Sequence, residues 1–157
     1  MQYWLFKSEP DAFSIDDLAA MPNQTEHWDG IRNYQARNYL RDQVKKGDQV
    51  FFYHSSCKDV GIVGVAEVVK ESYPDHSQFN PESKYFDPKA SPDKPRWMMV
   101  DIQFKQKFDR ILSLKDIKTM LEITEIGLVK KGHRLSIMPV PDNEWQLLYD
   151  AAMTPQK

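Results

Sequence analysis

The sequence is poor in cysteine and has no long apolar run. Cys57 is the only cysteine, so no disulfide can form within the chain and no cysteine cluster can hold a metal. The N-terminus lacks the basic segment and apolar core of a signal peptide, and no stretch approaches the ~20 apolar residues that a membrane span needs. These absences predict a protein without membrane contact, cytoplasmic in a bacterium or nuclear in a eukaryote.

An excess of positive charge is also missing. The formal net charge is −2, which argues against holding duplex DNA by bulk charge, because nonspecific affinity comes mainly from Lys and Arg beside phosphates. A local basic face is still compatible with this average. No glycine-rich phosphate loop is present, and the histidines are too far apart to form a zinc ligand pair. The sequence therefore predicts no metal and no cofactor.

Hydrophobic patterns predict an α+β fold in one domain over 1–157, a length typical of a single domain. Strands that are neighbours in sequence favour antiparallel pairing, and the first and last strands are placed to close the sheet into a small barrel with surrounding helices. Ser14 is the expected N-cap of the first helix. The predicted strands are 3–7, 49–54, 61–69, 96–108 and 134–140, and the predicted helices are 14–21, 33–44, 113–120 and one from 142, with helical character around 125–130.

Five prolines between Ser72 and Pro95 interrupt the regular pattern. Proline at this density excludes helix interiors and central strands. The segment also contains Tyr73, Phe79, Tyr85 and Phe86, whereas disordered segments are usually poor in aromatic residues. We therefore expect a long ordered loop, and loops of this length are often functional.

The most informative motif starts at Trp28, in a glycine-containing loop just before a helix. The N-terminus of a helix favours anions, an indole offers a stacking face, and an asparagine such as Asn33 can contact a base edge. Two interpretations remain open. Trp28 either stacks on a ligand, or it anchors the helix to the core while Arg37 and Arg41 pair with carboxylates.

Two further polar groups follow strands. Lys7, Ser8 and Glu9 precede Pro10 and form either a rigid rim or an ordinary exposed strand end. His54 with Ser55 or Cys57 offers a base and a nucleophile. These residues are close neighbours in sequence, which is poor geometry for a catalytic pair, and no carboxylate motif orients the histidine. The sequence therefore predicts no catalytic residue.

Several sequence blocks together resemble the EVE domain family, which belongs to the PUA-like superfamily. The resemblance extends over nearly the whole chain, and its blocks occur in the order expected for the family. It implies a mixed β pseudo-barrel with surrounding helices and a non-catalytic module that reads modified cytosine in DNA, with the base flipped into a pocket. The blocks are 4–10, 28–40, 51–57, Tyr73-Pro74-Asp75, Arg96-Trp97-Met98-Met99-Val100-Asp101 and Arg134-Leu135-Ser136.

The resemblance also implies roles for individual residues. Trp28 would form a pocket wall, and Phe79 would belong to a lid from the proline-rich loop. The other implied positions are Lys7, Ser8 and Glu9 at the mouth, Arg32 and Asn33 on phosphate or base edge, His54 and Ser55 on the floor, Trp97 in a wall or the core, and Arg134 and Ser136 on the last strand.

Three other functions stay open from sequence. The same pocket would serve a reader of modified or structured RNA, because discrimination rests on contacts to the 2′-OH. A small-molecule or nucleotide-binding protein, and a hydrolase that uses His54 and Cys57, are the other two. We expect nucleic acid as the partner and a monomer as the oligomeric state.

Overall fold

The computed structural model describes residues 1–154. Within this range the chain forms a six-stranded sheet and four α-helices. The strands are β1 (Tyr3–Ser8), β2 (Thr25–His27), β3 (Gln49–His54), β4 (Gly61–Pro74), β5 (Met98–Ser113) and β6 (Ile137–Val140). The helices are α1 (Ile15–Ala20), α2 (Tyr34–Asn38, continued by a π-helical turn over Tyr39–Gln43), α3 (Leu114–Thr119) and α4 (Asp142–Met153).

The sheet is mixed and open. Its strand order is β2-β5-β4-β3-β1-β6, and β1 pairs with β3 in parallel while the other neighbours are antiparallel. The α+β class is confirmed, but the expected closure of the sheet is wrong, because β2 and β6 are two separate edges. Register shifts between β4 and β5 mark bulges, which bend a sheet and increase its twist.

Strands β1 and β3 lie where the pattern predicts them, but β4 and β5 run beyond their predicted ends at 69 and 108, to Pro74 and Ser113. The exclusion of a central strand from 72 onward is therefore wrong for Tyr73 and Pro74, because they pair with Met99 and Met98 of β5. Gln49–His54 matches the expected 49–54, and β1 extends one residue beyond 3–7. Ser14 caps α1, accepting from the Asp17 N–H, as expected. The final strand begins at Ile137 instead of 134, and β2 was not predicted because its residues, Thr25–His27, have no apolar pattern.

Two hydrophobic clusters cover the two faces of the sheet. Successive residues of a strand point to opposite faces, so Trp4 and Phe6 join one cluster while Leu5 joins the other. Residues of α1 and α2 pack in the first cluster, and residues of α3 and α4 in the second. The buried carboxylate of Asp48 accepts from the Trp4 indole at 3.0 Å and ties β1 to the start of β3.

Candidate functional site

A cleft of about 570 Å³ opens where the end of β1 meets the loop after β2 and part of the proline-rich segment. This volume lies within the roughly 300–1,000 Å³ typical of small-molecule sites. The lining combines aromatic rings with both charge signs. It consists of Lys7, Ser8, Glu9, Ala12, Phe13, Glu26, His27, Trp28, Asp29, Gly30, Ile31, Lys84, Tyr85 and Ser136.

Trp28 is both a core residue and part of the cleft lining. The residue is 7% exposed, and its ring packs edge-on against Phe52 at 5.4 Å between ring centroids and tilted against Phe6 at 5.6 Å. Its backbone N–H donates to the carbonyl of Val100 on β5, which fixes the residue just after β2. The indole N–H has no hydrogen-bond partner within residues 1–154, whereas the indoles of Trp4 and Trp97 each donate to an aspartate. Packing of Trp28 into the core is therefore confirmed, and of the two arginines expected to pair with carboxylates only Arg41 does so within residues 1–154, with Asp42. That Trp28 stacks on a ligand stays a prediction.

Tyr85 is a second aromatic ring on the lining, and it rests against Gly30. The φ of Gly30 is +80°, a conformation that side-chain-bearing residues rarely adopt, and a Cβ there would lie 2.7 Å from the tyrosine ring. Arg32 also binds the backbone of the segment that carries Tyr85. Its Nε and Nη2 atoms donate to the Tyr85 carbonyl at 3.1 and 2.8 Å.

Asp75 connects these two loops. It is fully buried, and its Oδ2 accepts from the Gly30 N–H at 2.8 Å and from Arg32 Nη1 at 3.1 Å. Its Oδ1 accepts from the backbone and hydroxyl of Ser77. Burial alone would raise the pKa of this carboxyl, but the hydrogen bonds from Ser77, Gly30 and Arg32 outweigh it and hold the pKa below its usual value.

The rim of the cleft is polar and already partly ordered. Lys7 lies at the end of β1, and burial lowers the pKa of its ammonium group. The hydroxyl of Ser8 donates to the carbonyl of Phe13 at 2.6 Å, which leaves its oxygen free to accept. The backbone of Ser136 accepts from the Lys7 N–H at 2.8 Å and brings the segment before β6 to the rim. Carboxylates of Glu9, Glu26 and Asp29 complete this edge.

Five of the twelve site residues expected from sequence lie on the cleft lining: Lys7, Ser8, Glu9, Trp28 and Ser136. Arg32 lies behind Tyr85, and Ser55 is adjacent to the rim, where its N–H donates to the carbonyl of Ser8 at 2.9 Å. Whether any of these residues contacts a base stays a prediction.

Two of the remaining residues cap helices. The side chain of Asn33 accepts from the Ala36 N–H at 3.0 Å and caps α2. His54 Nε2 accepts from the Ile15 N–H at 3.1 Å at the start of α1, and burial lowers the pKa of its ring. Asn33 Oδ1 and His54 Nε2 are therefore both engaged by the protein's own backbone.

The last three residues are placed by the proline-rich segment and by β6. Phe79 ends the 3-10 turn His76–Phe79, and Trp97 is buried just before β5 with its indole donating to Asp87 at 2.8 Å. Arg134 is exposed in the loop before β6 instead of on the strand. The proline-rich segment contains the 3-10 turn His76–Phe79, and its residues on the lining are Lys84 and Tyr85, not Phe79.

Sequence reasoning missed Tyr85 and Gly30 as partners on the lining. The aromatic content of the proline-rich segment was a signal for Tyr85, and the glycine two residues after Trp28 was a signal for a close contact. Neither signal identifies which ring meets which glycine, because they are 55 positions apart in the chain.

Other kinds of site are not found in the described part of the chain. Within residues 1–154 no group of three His, Cys, Asp or Glu side chains is arranged to hold a metal ion. No helix in the same range is long and apolar enough to cross a membrane. Cys57 is a half-buried free thiol.

The open, mixed α+β sheet with its surrounding helices has the fold of the human THYN1 structure and defines this chain as a PUA-like domain. The family model of the EVE domain matches residues 2–151, so the chain belongs to the EVE domain family, as its sequence blocks indicated.

Relatives with solved structures share this fold over almost their whole length. A crystal structure of a Pseudomonas syringae protein has a TM-score of 0.91 at 45% identity and covers 96% of this chain and 99% of its own. The crystal structure of human THYN1 in complex with DNA that contains 5-methylcytosine has a TM-score of 0.89 at 40% identity, with 99% and 100% covered. Mouse thymocyte nuclear protein 1 is 44% identical over 93% of this chain and 71% of its own length.

Proposed function

We propose that this chain is a non-catalytic reader of modified cytosine in DNA, which it binds as a flipped base in the cleft beside Trp28. The observation that carries the proposal is the cleft itself, of about 570 Å³, with Trp28 and Tyr85 on its lining and polar groups at its rim. The complex of the human relative with 5-methylcytosine DNA, at 40% identity, supports the same ligand class.

Aromatic groups would supply most of the binding energy. Stacking of a base on an aromatic side chain contributes roughly 1–3 kcal/mol by alanine substitution, which offsets a flipping cost of a few kcal/mol. Trp28 is held in place by Phe6 and Phe52, and Tyr85 by Gly30 and Arg32, so little ordering is needed when a base enters.

Polar groups of the rim match the edge of cytosine. Its exocyclic amine is a donor that carboxylates accept, and Glu9, Glu26 and Asp29 offer such acceptors. Its carbonyl and ring nitrogen are acceptors, for which the ammonium group of Lys7 is a donor. A base edge without an amine would leave one of these carboxylates without a partner, and sites of this kind discriminate strongly against such ligands.

The modification itself adds a smaller contact. Burying one methyl group contributes about 0.8 kcal/mol, which corresponds to about a fourfold preference over unmodified cytosine. We expect a preference of this size for a methyl group, and a larger one only for a group that finds a polar partner.

A role in binding without catalysis also agrees with the state of His54. The Nε2 atom accepts from the Ile15 N–H, so the one acceptor nitrogen of the neutral ring is used in capping α1. A general base would need this lone pair.

A binding screen tests the proposal. Calorimetry with matched oligonucleotides would compare cytosine, 5-methylcytosine and 5-hydroxymethylcytosine in duplex DNA, single-stranded DNA and RNA. We expect the tightest binding to modified cytosine in DNA. Preferential binding of RNA would redirect the assignment to an RNA reader, and equal binding of all bases would overturn it.

A matched pair of variants locates the binding site. Tyr85→Ala removes a ring from the lining, whereas Phe86→Ala removes its exposed neighbour, which is not on the lining. We expect Tyr85→Ala to abolish base selectivity and Phe86→Ala to retain it. If the two variants bind alike, the cleft is not the binding site.

A further inference from the structure

A continuous stack of rings and guanidinium groups runs from the cleft to the protein surface. The guanidinium of Arg32 lies between two rings, 5.4 Å from the centroid of Tyr85 and 5.3 Å from that of Trp97. Trp97 in turn stacks on Tyr34, with centroids 4.8 Å apart and planes at 27°. The guanidinium of Arg37 covers Tyr34 at 4.7 Å. Three contacts therefore connect the cleft to Tyr34: Tyr85 with Arg32, Arg32 with Trp97, and Trp97 with Tyr34.

The outer end of this stack is an exposed tyrosine beside two arginines. Tyr34 is 51% exposed, and its ring contacts Trp97 and Arg37. Arg37 donates to the carbonyl of Arg96 at 3.0 Å, and Arg96 reaches the Tyr34 hydroxyl at 3.5 Å. We refer to Tyr34, Arg37 and Arg96 as the outer surface of the stack.

The two arginines of the outer surface carry positive charge that the described residues do not neutralise directly. Arg32 pairs with Asp75 and Arg41 pairs with Asp42, but within residues 1–154 neither Arg37 nor Arg96 forms a salt bridge. The Asp87 carboxylate accepts from the indole of Trp97 and the N–H of Lys89, and these hydrogen bonds, with a smaller effect of the Arg96 charge, lower the pKa of Asp87. Asp42 lies in the field of Arg37 but is bound to Arg41.

We propose that the outer surface of the stack is a second nucleic-acid contact, which holds the phosphodiester backbone next to the flipped base. The inference rests on the proposed function of the cleft. Guanidinium groups bind phosphate through paired hydrogen bonds, and an exposed tyrosine stacks on a neighbouring base without regard to its identity. With a formal net charge of −2, the chain can attract a polyanion only through a local cluster of this kind.

This contact supplies affinity while the cleft supplies selectivity. The outer surface lies on the N-terminal part of α2 and just before β5, whereas the cleft is built from the end of β1 and the loop after β2. Because phosphate contacts carry no sequence information, removing them weakens binding to every base alike.

The salt dependence of binding tests this contact. The probe is duplex DNA with a single 5-methylcytosine, compared with the same duplex carrying cytosine. For the double variant Arg37→Gln/Arg96→Gln we expect about tenfold weaker binding to both duplexes. The slope of log K against log salt should fall by about 1–2, since each lost phosphate contact in duplex DNA contributes about 0.9. The ratio of the two affinities should stay at its wild-type value.

Two other variants complete the test. Tyr34→Ala should weaken binding without changing the salt slope, and Arg41→Gln is the matched control that should change neither, because Arg41 is already paired with Asp42. Thermal melting of each variant checks that the fold is retained. If the double variant binds with wild-type affinity and slope while Tyr85→Ala still loses selectivity, the outer surface is not a contact and the proposed function survives. An acidic peptide serves as an alternative ligand for the two arginines. The inference is overturned if the double variant loses affinity for this peptide but not for DNA. It is also overturned if the wild-type chain binds no nucleic acid.

Discussion

The ring of Tyr85 lies directly against Gly30, so that a Cβ on the glycine would be 2.7 Å from the ring. This contact joins the loop that carries Trp28 to a segment 55 positions further along the chain. It sets the position of one aromatic ring of the cleft relative to the other, and it depends on a glycine for both space and backbone conformation.

Gly30→Ala should therefore reduce binding of modified DNA by more than it reduces stability. The left-handed conformation costs about 1–2 kcal/mol for a residue with a Cβ, and the new methyl group must also displace the Tyr85 ring. Gly132→Ala is a matched control, because its φ of +78° is similar but its Cβ would meet nothing within 4 Å. Chemical denaturation and calorimetry of both variants separate the two effects. Equal losses of binding in the two variants would contradict the role of the Tyr85 contact.

Asp75 should contribute stability that depends on pH. The folded chain holds the pKa of this carboxyl below its ordinary value, so the contribution is present above about pH 4 and disappears as the pH falls through the lowered pKa. Asp75→Asn should lower the free energy of unfolding at neutral pH by about 3 kcal/mol, because Arg32 loses its buried partner. It should also flatten the acid limb of the stability curve. Asp93→Asn, in an exposed part of the same segment, is the control that should leave both unchanged.

His54 should also make the free energy of unfolding depend on pH, at a higher pH than Asp75 does. Because burial lowers the pKa of its ring, the unfolded chain takes up a proton at a higher pH than the folded chain. The free energy of unfolding should therefore decrease as the pH falls below about 6.5. Urea denaturation from about pH 8 to about pH 5 should show this decrease in the wild-type chain and less of it in His54→Gln, which keeps an acceptor for the Ile15 N–H. The same curve for His76→Gln, an exposed histidine, should match the wild type, and an unchanged curve for His54→Gln would count against the capping role.

Cys57 should be dispensable for binding. It is a half-buried free thiol, and the proposed function assigns it no contact. Cys57→Ser should bind modified DNA with wild-type affinity in the same calorimetric assay. A loss of function greater than the loss of stability would revive the hydrolase that pairs this thiol with His54.

The sequence predicts correctly the strands and caps that depend on a local pattern of residues. The apolar runs of β1 and β3 and the Ser14 cap of α1 depend on residues close together in the chain. β2 was missed because its pairing with β5 joins Thr25 to Gln103, a partner that no local pattern identifies. The expected closure of the sheet failed for a similar reason, since strand order is decided by packing between distant segments.

The site was predictable only in part. Trp28 and the rim at Lys7 stand out because an aromatic residue or a polar cluster follows directly on a strand. Asn33 and His54 are equally suited to bind a ligand or to cap a helix, and in the structure their side chains accept from backbone N–H groups. Arg41 forms an ion pair with Asp42, whereas within residues 1–154 Arg37 donates to the Asn38 side chain and the Arg96 carbonyl instead of a carboxylate. These partners depend on side-chain positions that the sequence leaves open.

The central claim is that a modified base sits beside Trp28, and the indole N–H signals in a two-dimensional NMR spectrum test it directly. The chain has four tryptophans, and Trp28→Phe would assign the signal of interest. On titration with duplex DNA that contains 5-methylcytosine, the Trp28 signal should shift strongly, while the signals of Trp4 and Trp145, buried away from the cleft, should stay in place. A Trp28 signal that does not move at saturating DNA would contradict the account.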